Sequence, residues 1–174
     1  IFAVLIVAAA VLTFYYLNLG PTGFAVFEQN TQSAFDEGTY SNVVYDANQS
    51  AVVLAANQTS GTYASKIFDG SSGATWNNLT WQGSGVAFEV RNCAIADCSD
   101  SNFTTVSDLN NLNLTGQYFQ YRTSFDSAND TLNNVSIDYT VAPIVTSVSI
   151  SQPSGQKSSP TGIPLQFTYT GSSD

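Results

Sequence analysis

The sequence contains no histidine, and that absence removes the usual base from a serine or cysteine catalytic triad. Its 13 acidic residues could supply the carboxylate pair of a glycosidase, but no spacing in the chain brings two of them together. Zinc is disfavoured as well, because two cysteines make only half of a zinc coordination shell. We therefore expect no catalytic residues, no enzyme activity and no resident cofactor.

Basic residues are also scarce: the 174-residue chain has four, and its formal net charge is −9. Binding to nucleic acid needs clustered basic side chains, so we expect no nucleic-acid partner. Charged residues make up only 10% of the chain, against roughly 25% in an average soluble domain. Ser, Thr, Asn and Gln supply the polarity instead, which suits the exposed strand faces of an extracellular β-protein. The four basic residues are scattered singly, at Lys66, Arg91, Arg122 and Lys157.

The longest apolar run is at the start of the chain, in residues 1–19. Nineteen helical residues at 1.5 Å each span close to the ~30 Å hydrocarbon core of a bilayer. Tyr15 and Tyr16 stand where an aromatic belt would meet the interface, and Gly20 and Pro21 favour a helix end. Residues 1–20 are predicted as a transmembrane anchor or signal helix. A pilin-like helix that packs with copies of itself is a third interpretation, and all three place the remaining chain outside the cytoplasm.

The chain also lacks methionine, including at position 1, and has no basic segment before its apolar start. We therefore expect it to be a piece of a longer protein. Ala142 and Pro143 mark a predicted domain boundary, and two strand-like segments follow at 144–150 and 164–169. We interpret residues 142–174 as the start of a truncated Ig-like domain. The alternative is that these strands complete the first sandwich, or that of a neighbouring molecule.

Between these ends the chain has the period of β-strands. Residues 21–39 are interpreted as a connector, and residues 40–141 contain short apolar runs separated by Gly, Asn, Ser and Asp. Apolar and polar residues alternate, which is typical of half-buried antiparallel strands. The predicted fold class is therefore all-β, an antiparallel two-sheet, jelly-roll-like sandwich preceded by one N-terminal hydrophobic helix. Strands are predicted at Tyr40–Tyr45, Ala51–Leu54, Thr62–Phe68, Thr75–Trp81, Val86–Asn92, Tyr118–Phe125 and Val135–Thr140.

The two cysteines, Cys93 and Cys98, are predicted to form a disulfide that closes a short loop, as expected for an exported chain. Two acidic loops, which contain Asp97 with Asp100 and Asp126 with Asp130, are candidates for a calcium site. Ordinary turn formation is the competing interpretation of these aspartates. No other metal site is expected.

Seven Asn-x-Ser/Thr triplets make N-glycosylation a further expectation. Asn78 is the least suitable of them, because it falls inside a predicted strand. The six predicted glycosylation sites are Asn48, Asn57, Asn102, Asn113, Asn129 and Asn134.

Aromatic side chains are the best candidates for ligand contact, because aromatic rings stack on sugar rings. Packing in the core is the competing interpretation, because most of these rings alternate in phase with core positions. The predicted glycan-contact residues are Tyr63, Trp76, Trp81, Tyr118 and Tyr121.

Several segments together resemble modules of large secreted or surface proteins of archaea and bacteria. They are 63–70 (YASKIFDG), 76–81 (WNNLTW), 88–93 (FEVRNC), 118–122 (YFQYR) and 134–139 (NVSIDY). The resemblance implies a jelly-roll sandwich of the discoidin or laminin-G kind, often followed by Ig-like repeats. Residues 19–26 (LGPTGFAV) resemble membrane-proximal openings of exported archaeal proteins. The resemblance covers about residues 1–140 and implies fold and location, but no ligand and no functional residues.

These observations predict a non-catalytic, membrane-anchored extracellular module of a larger surface protein, with a role in adhesion or carbohydrate contact. Its expected partners are the membrane, through residues 1–19, and glycans or other cell-surface polymers. One alternative is a pilin-like filament subunit that self-assembles through the N-terminal helix. The other is an accessory domain of a secreted hydrolase.

Overall fold

The computed structural model describes residues 23–141, 148–151 and 166–169. The chain divides between Ala142 and Pro143 into two compact units. The predicted N-terminal hydrophobic helix lies outside the described residues. Within the part of the chain that the structure describes, no helix has the length and hydropathy of a membrane span.

The described elements are one short helix and fourteen strands. The helix is α1 (Gln32–Phe35). The strands of the first unit are β1 (Gly23–Gln29), β2 (Thr39–Ser41), β3 (Val43–Asp46), β4 (Ala51–Leu54), β5 (Gly61–Ala64), β6 (Phe68–Asp69), β7 (Ala74–Ser84), β8 (Ala87–Cys93), β9 (Thr104–Thr105), β10 (Leu114–Thr115), β11 (Tyr118–Phe125) and β12 (Thr131–Val141). The second unit contains β13 (Val148–Ser151) and β14 (Gln166–Tyr169), which pair antiparallel.

The first unit is an antiparallel sandwich of two six-stranded sheets, so the prediction of an all-β two-sheet sandwich is confirmed. Sheet A has the order β10-β7-β12-β4-β3, and β1 also pairs with β12. Sheet B has the order β2-β5-β11-β8-β9, and β6 also pairs with β11. This arrangement is compatible with a jelly-roll-like fold. The predicted bounds of β4 and β11 agree with the structure residue for residue.

The predicted connector is wrong from residue 23 onwards, because this segment is part of the sandwich. Strand β1 pairs with β12 along its whole length, from Gly23 opposite Val141 to Gln29 opposite Val135. Helix α1 follows, and the Thr31 hydroxyl accepts a hydrogen bond from the Ala34 N–H at 3.3 Å to cap its first turn. The sandwich therefore begins at the first described residue.

Two predicted strands are divided in the structure, each for a local reason. The Tyr40–Tyr45 segment breaks at Asn42, whose φ of 58° lies in the left-handed region that asparagine tolerates. This residue carries the chain from β2 in sheet B to β3 in sheet A. The Thr62–Phe68 segment breaks after Ala64, where the buried Ser65 hydroxyl accepts a hydrogen bond from the Tyr121 N–H at 3.1 Å.

Aromatic rings fill the space between the sheets. The ring centroid of Trp76 lies 5.0 Å from that of Phe119 in sheet B and 5.0 Å from that of Tyr139 in sheet A. Its indole N–H donates to the Gly116 carbonyl at 2.7 Å, so the one polar atom of this buried side chain has a partner. Trp76 thus joins the two sheets at the end of the sandwich that carries Gly23.

A buried polar cluster joins β1, α1, β5 and β11. The Tyr121 hydroxyl donates to Gln29 Oε1 at 2.7 Å, and Gln29 Nε2 donates to the Ala34 carbonyl at 2.7 Å and to the Tyr63 hydroxyl at 3.1 Å. The Tyr63 hydroxyl in turn donates to the Phe35 carbonyl at 2.9 Å. One glutamine amide therefore holds the first strand, the helix and sheet B together.

Replacing Gln29 by leucine should destabilise the sandwich on the order of 3 kcal/mol, because the buried Tyr121 hydroxyl and Ala34 carbonyl would lose their partner. Urea unfolding followed by circular dichroism measures the loss. The matched control is Gln58→Leu on an exposed turn, which should change stability by less than about 0.5 kcal/mol. Adding Tyr121→Phe to the Gln29→Leu variant should recover part of the loss, since it removes the orphaned hydroxyl. Equal stabilities of the two single variants would contradict the role of the cluster.

The same cluster predicts a loss of stability in alkali. Burial raises the pKa of Tyr63 and of Tyr121 well above the usual tyrosine value of about 10. The folded chain therefore keeps protons that the unfolded chain releases above pH 10, so the contribution of these tyrosines to stability is constant below that pH and is lost as pH rises further. The expected slope is about 1.4 kcal/mol per pH unit for each such tyrosine. Thermal melts across this range measure it, and Tyr63→Phe should lessen the slope; an unchanged slope in Tyr63→Phe would contradict the assignment.

Candidate functional site

Three of the five aromatic residues predicted to contact glycans have no accessible surface. Tyr63, Trp76 and Tyr121 are each 0% exposed. Their rings pack on other core aromatics, and their polar atoms hydrogen-bond inside the protein. The prediction of glycan contact is wrong for these three residues, because a ligand in solvent cannot reach them.

The other two, Trp81 and Tyr118, are partly exposed. Trp81 lies in β7 opposite Val135, and one side of its ring packs on Phe88 of sheet B at 5.4 Å between centroids. No described residue accepts a hydrogen bond from the Trp81 indole N–H, in contrast to that of Trp76. The Trp81 ring is therefore held in place by Phe88, and its indole N–H has no acceptor among the described residues.

Two surface depressions meet at Trp81 and its neighbour Thr80. The smaller has a volume of about 150 Å³ and the larger about 480 Å³. Thr80, Trp81, Gln82, Asn134 and Ser136 line the smaller depression. Leu79, Thr80, Trp81, Val106, Ser107, Asp108, Leu109 and Asn110 line the larger. Amide and hydroxyl side chains of the outer face of sheet A thus line the smaller depression, and the larger one lies between β7 and the loop of residues 106–110.

The loop that walls the larger depression is fixed to the edge of β7. The Leu79 N–H donates to the Leu109 carbonyl at 2.7 Å, and the Leu112 N–H donates to the Asn77 carbonyl at 2.8 Å. Asp108 Oδ1 accepts from the Asn110 N–H at 2.9 Å, which shapes the turn between them. The depression therefore has a wall held by backbone hydrogen bonds.

Amide groups without partners lie beside these depressions. Asn77 Nδ2, Asn78 Oδ1 and Asn134 Oδ1 are buried, and no described residue forms a hydrogen bond with them. Buried polar atoms normally have partners, so such atoms call for a water or a ligand group. Asn134 lines the smaller depression directly. The sequence predicts Asn134 as a glycosylation site and gives no sign that its amide oxygen is buried.

The predicted glycosylation sites fall into two groups. Asn134 lies within β12, paired with β7, and its Oδ1 is buried, so its position suits an attached glycan poorly. The other five are exposed on turns, in loops or beside a strand end: Asn48, Asn57, Asn102, Asn113 and Asn129. Glycosylation of these five stays a prediction.

Three of the four candidate calcium ligands, Asp97, Asp100 and Asp130, accept hydrogen bonds from backbone N–H groups of their own loops. The Asp97 carboxylate accepts from the Ser99 N–H at 3.0 Å, and this hydrogen bond lowers the pKa of Asp97. Asp100 accepts from the Ala94 N–H at 2.9 Å, and Asp130 from the N–H groups of Asp126 and Ser127 at 2.8 and 2.9 Å. No group of three or more potential metal ligands forms among the described residues. The calcium site stays a prediction without structural support.

The predicted disulfide is confirmed, with an S–S distance of 2.03 Å between Cys93 and Cys98. Its loop is held on sheet B by Arg91, which donates to the Cys98 carbonyl at 2.9 Å and the Ser101 carbonyl at 3.1 Å. The same guanidinium donates twice to Gln120 Oε1, at 2.9 and 2.6 Å. No sequence signal predicted this clamp, because its acceptors are backbone carbonyls of a loop.

A second arginine lies near the clamp but has a different role. The guanidinium carbons of Arg91 and Arg122 each lie 4.6 Å from the ring centroid of Phe103. Arg122 pairs with Glu89 at 2.6 Å on the surface of sheet B. The two basic side chains are therefore engaged in holding the loop and in a surface ion pair.

No family model, curated protein sequence or solved structure matches this chain. The described fold and the Trp81 depressions are therefore the basis for a functional proposal.

Replacing Arg91 by methionine should destabilise the sandwich by about 2 kcal/mol, because two loop carbonyls lose their charged donor. It should also accelerate amide hydrogen exchange across residues 94–103. Arg122→Met is the matched control, since a partly exposed ion pair contributes less than about 1 kcal/mol. Mass-spectrometric hydrogen exchange measures both variants. Exchange in this loop that is faster in Arg122→Met than in Arg91→Met would contradict the clamp.

Proposed function

We propose that this chain is a non-catalytic, extracellular β-sandwich module that contacts neutral glycans through the depressions at Trp81. In this proposal residues 1–19 anchor it in a membrane, and the module belongs to a larger cell-surface protein with a role in adhesion. The first unit is a jelly-roll sandwich of the discoidin or laminin-G kind, and residues 142–174 begin an Ig-like domain.

The observation that carries this proposal is the position of Trp81. Its ring is braced by Phe88, its indole N–H has no acceptor among the described residues, and it lines both depressions. Sugar rings present C–H faces that stack on aromatic rings and hydroxyls that hydrogen-bond to amides. A braced ring loses little conformational freedom when a ligand binds, which favours binding.

The polar groups that line the two depressions define the class of ligand. Gln82, Asn134 and Ser136 offer amide and hydroxyl groups, and no basic residue lines either depression. Asp108 lines the larger one, and the chain carries a net charge of −9. An anionic sugar would be repelled, so neutral sugars fit best. The larger depression, about 480 Å³, has the size of small-ligand sites, which run from ~300 to 1,000 Å³.

The test is a glycan array probed with the full chain and with a variant that blocks the site. Thr80→Arg places a long side chain where both depressions meet, without removing the Trp81–Phe88 contact. Binding to neutral glycans should fall at least tenfold, because the site is filled. Thr105→Arg, an exposed threonine on sheet B, adds the same charge and should bind as the wild type does.

Trp81→Ala should also lose binding, with some loss of stability from the missing ring, which thermal melting measures. Failure of the wild-type chain to bind any neutral glycan would overturn the glycan proposal. Equal binding by the wild type and Thr80→Arg would place the glycan site elsewhere.

A further inference from the structure

One end of the sandwich carries the first described residue and the last residue of β12. Gly23 pairs with Val141, and Val141 also pairs with Ala74 at the start of β7. In sheet B, Tyr118 pairs with Cys93. This pair lies at the same end of the sandwich, because Gly116, two residues before Tyr118, donates its N–H to the Ala74 carbonyl at 3.1 Å. We call this region, defined by Gly23, Ala74, Cys93, Tyr118 and Val141, the Gly23 end.

Large apolar side chains are exposed at and near the Gly23 end. Phe24 is 79% exposed and Val26 is 53% exposed, and both lie on the outer face of β1. Ile95 is 47% exposed in the disulfide loop that follows Cys93. The next outward residue of β1 is Glu28, so the outer face of this strand changes from apolar to charged with distance from the Gly23 end. Exposed apolar groups gathered at one end mark an interaction surface.

The sequence indicates what meets this surface. Only four residues separate Phe24 from Leu19, the end of the apolar run. Even a fully extended chain covers no more than about 3.6 Å per residue, so Phe24 lies within about 18 Å of Leu19. We propose that the Gly23 end rests on the lipid headgroup region, with Phe24, Val26 and Ile95 in contact with lipid. This inference rests on the proposed membrane anchor and adds the orientation of the sandwich.

The charged side chains near the Gly23 end determine which lipid headgroups can contact it. The basic residues of the described part all have partners within the protein: Lys66 pairs with Glu37 at 2.6 Å, Arg122 pairs with Glu89, and Arg91 donates to carbonyls of the disulfide loop. Asp97 and Asp100 are exposed in the loop that carries Ile95. An anionic surface would repel this end, so the surface in contact is a zwitterionic one. Aromatic and aliphatic contact with the headgroup region supplies the attraction.

The opposite end of sheet A offers a matched reference position. Val44 is 46% exposed on β3 and lies opposite Val53 of β4. Strand β4 meets β12 at Leu132, nine residues before Val141. One of the nine is an extra residue at the register shift between Leu132 and Asn134, so eight steps of about 3.3 Å place the Val44 region roughly 26 Å from the Gly23 end. Val44 and Phe24 are thus both exposed apolar positions, but only one adjoins the proposed lipid surface.

The test uses the full chain reconstituted into phosphatidylcholine vesicles, with tryptophan introduced as Phe24→Trp, Ile95→Trp or Val44→Trp. Wild-type emission, from Trp76 and Trp81, is subtracted. Brominated phosphatidylcholine should quench the added emission of Phe24→Trp and Ile95→Trp, with a shift to shorter wavelength, and leave that of Val44→Trp unchanged. Urea unfolding of each variant confirms that it is folded.

Flotation of the vesicles separates the two proposals. A chain that floats with the vesicles while Phe24→Trp escapes quenching overturns the lipid contact but retains the anchor. A chain that does not float overturns the anchor itself, and the lipid contact with it. A wavelength shift of Phe24→Trp that grows with protein density, without quenching by bromine, would assign this surface to a second copy of the chain and overturn the lipid contact.

Discussion

The buried amide of Gln29 is the contact on which the arrangement of the sandwich depends. It links β1 of sheet A to α1 and to both Tyr63 and Tyr121 of sheet B. An apolar side chain would fill the same space, but it would leave two tyrosine hydroxyls and a helix carbonyl with fewer partners. Because the hydrogen bonds are directional, the amide specifies where β1 lies on β12. That pairing in turn brings Gly23 beside Val141.

The alternation of apolar and polar residues predicted the sandwich, because each strand buries one face in the core and exposes the other. In β11, Phe119, Tyr121, Thr123 and Phe125 face the core, and this alternation is visible in the sequence. The alternation could not show where the chain changes sheets. That change depends on the left-handed backbone of Asn42, a residue that equally fits an ordinary turn. It also gave no sign that Gln29, a polar residue in an apparent connector, lies in the core, because the partners of its amide are far away in the sequence.

Residue alternation in the sequence is also insufficient to predict which tryptophan of the candidate site is accessible. Trp76 and Trp81 are five residues apart, a spacing that puts side chains on opposite faces of a regular strand. A register shift between Trp76 and Asn78 inserts an extra residue, so both tryptophans lie on the core face of β7. Trp76 meets Phe119 and Tyr139 and is covered, whereas Trp81 keeps part of its ring exposed. The sequence predicted a set of candidate sugar-contact residues, but the bulge and the packing decide which of them remain accessible to solvent.

The pairing of Gly23 with Val141 has a consequence for the proposed roles. The chain enters and leaves the first unit at one end, so a membrane anchor before Gly23 places that end toward the lipid. Trp81 lies opposite Val135, six residues along β12 from Val141, which at about 3.3 Å per residue is roughly 20 Å from that end. This distance exceeds the depth of the headgroup layer, about 5–8 Å on each side of the bilayer. The proposed lipid surface and the proposed sugar site therefore lie in separate parts of the sandwich, so both could be occupied at once.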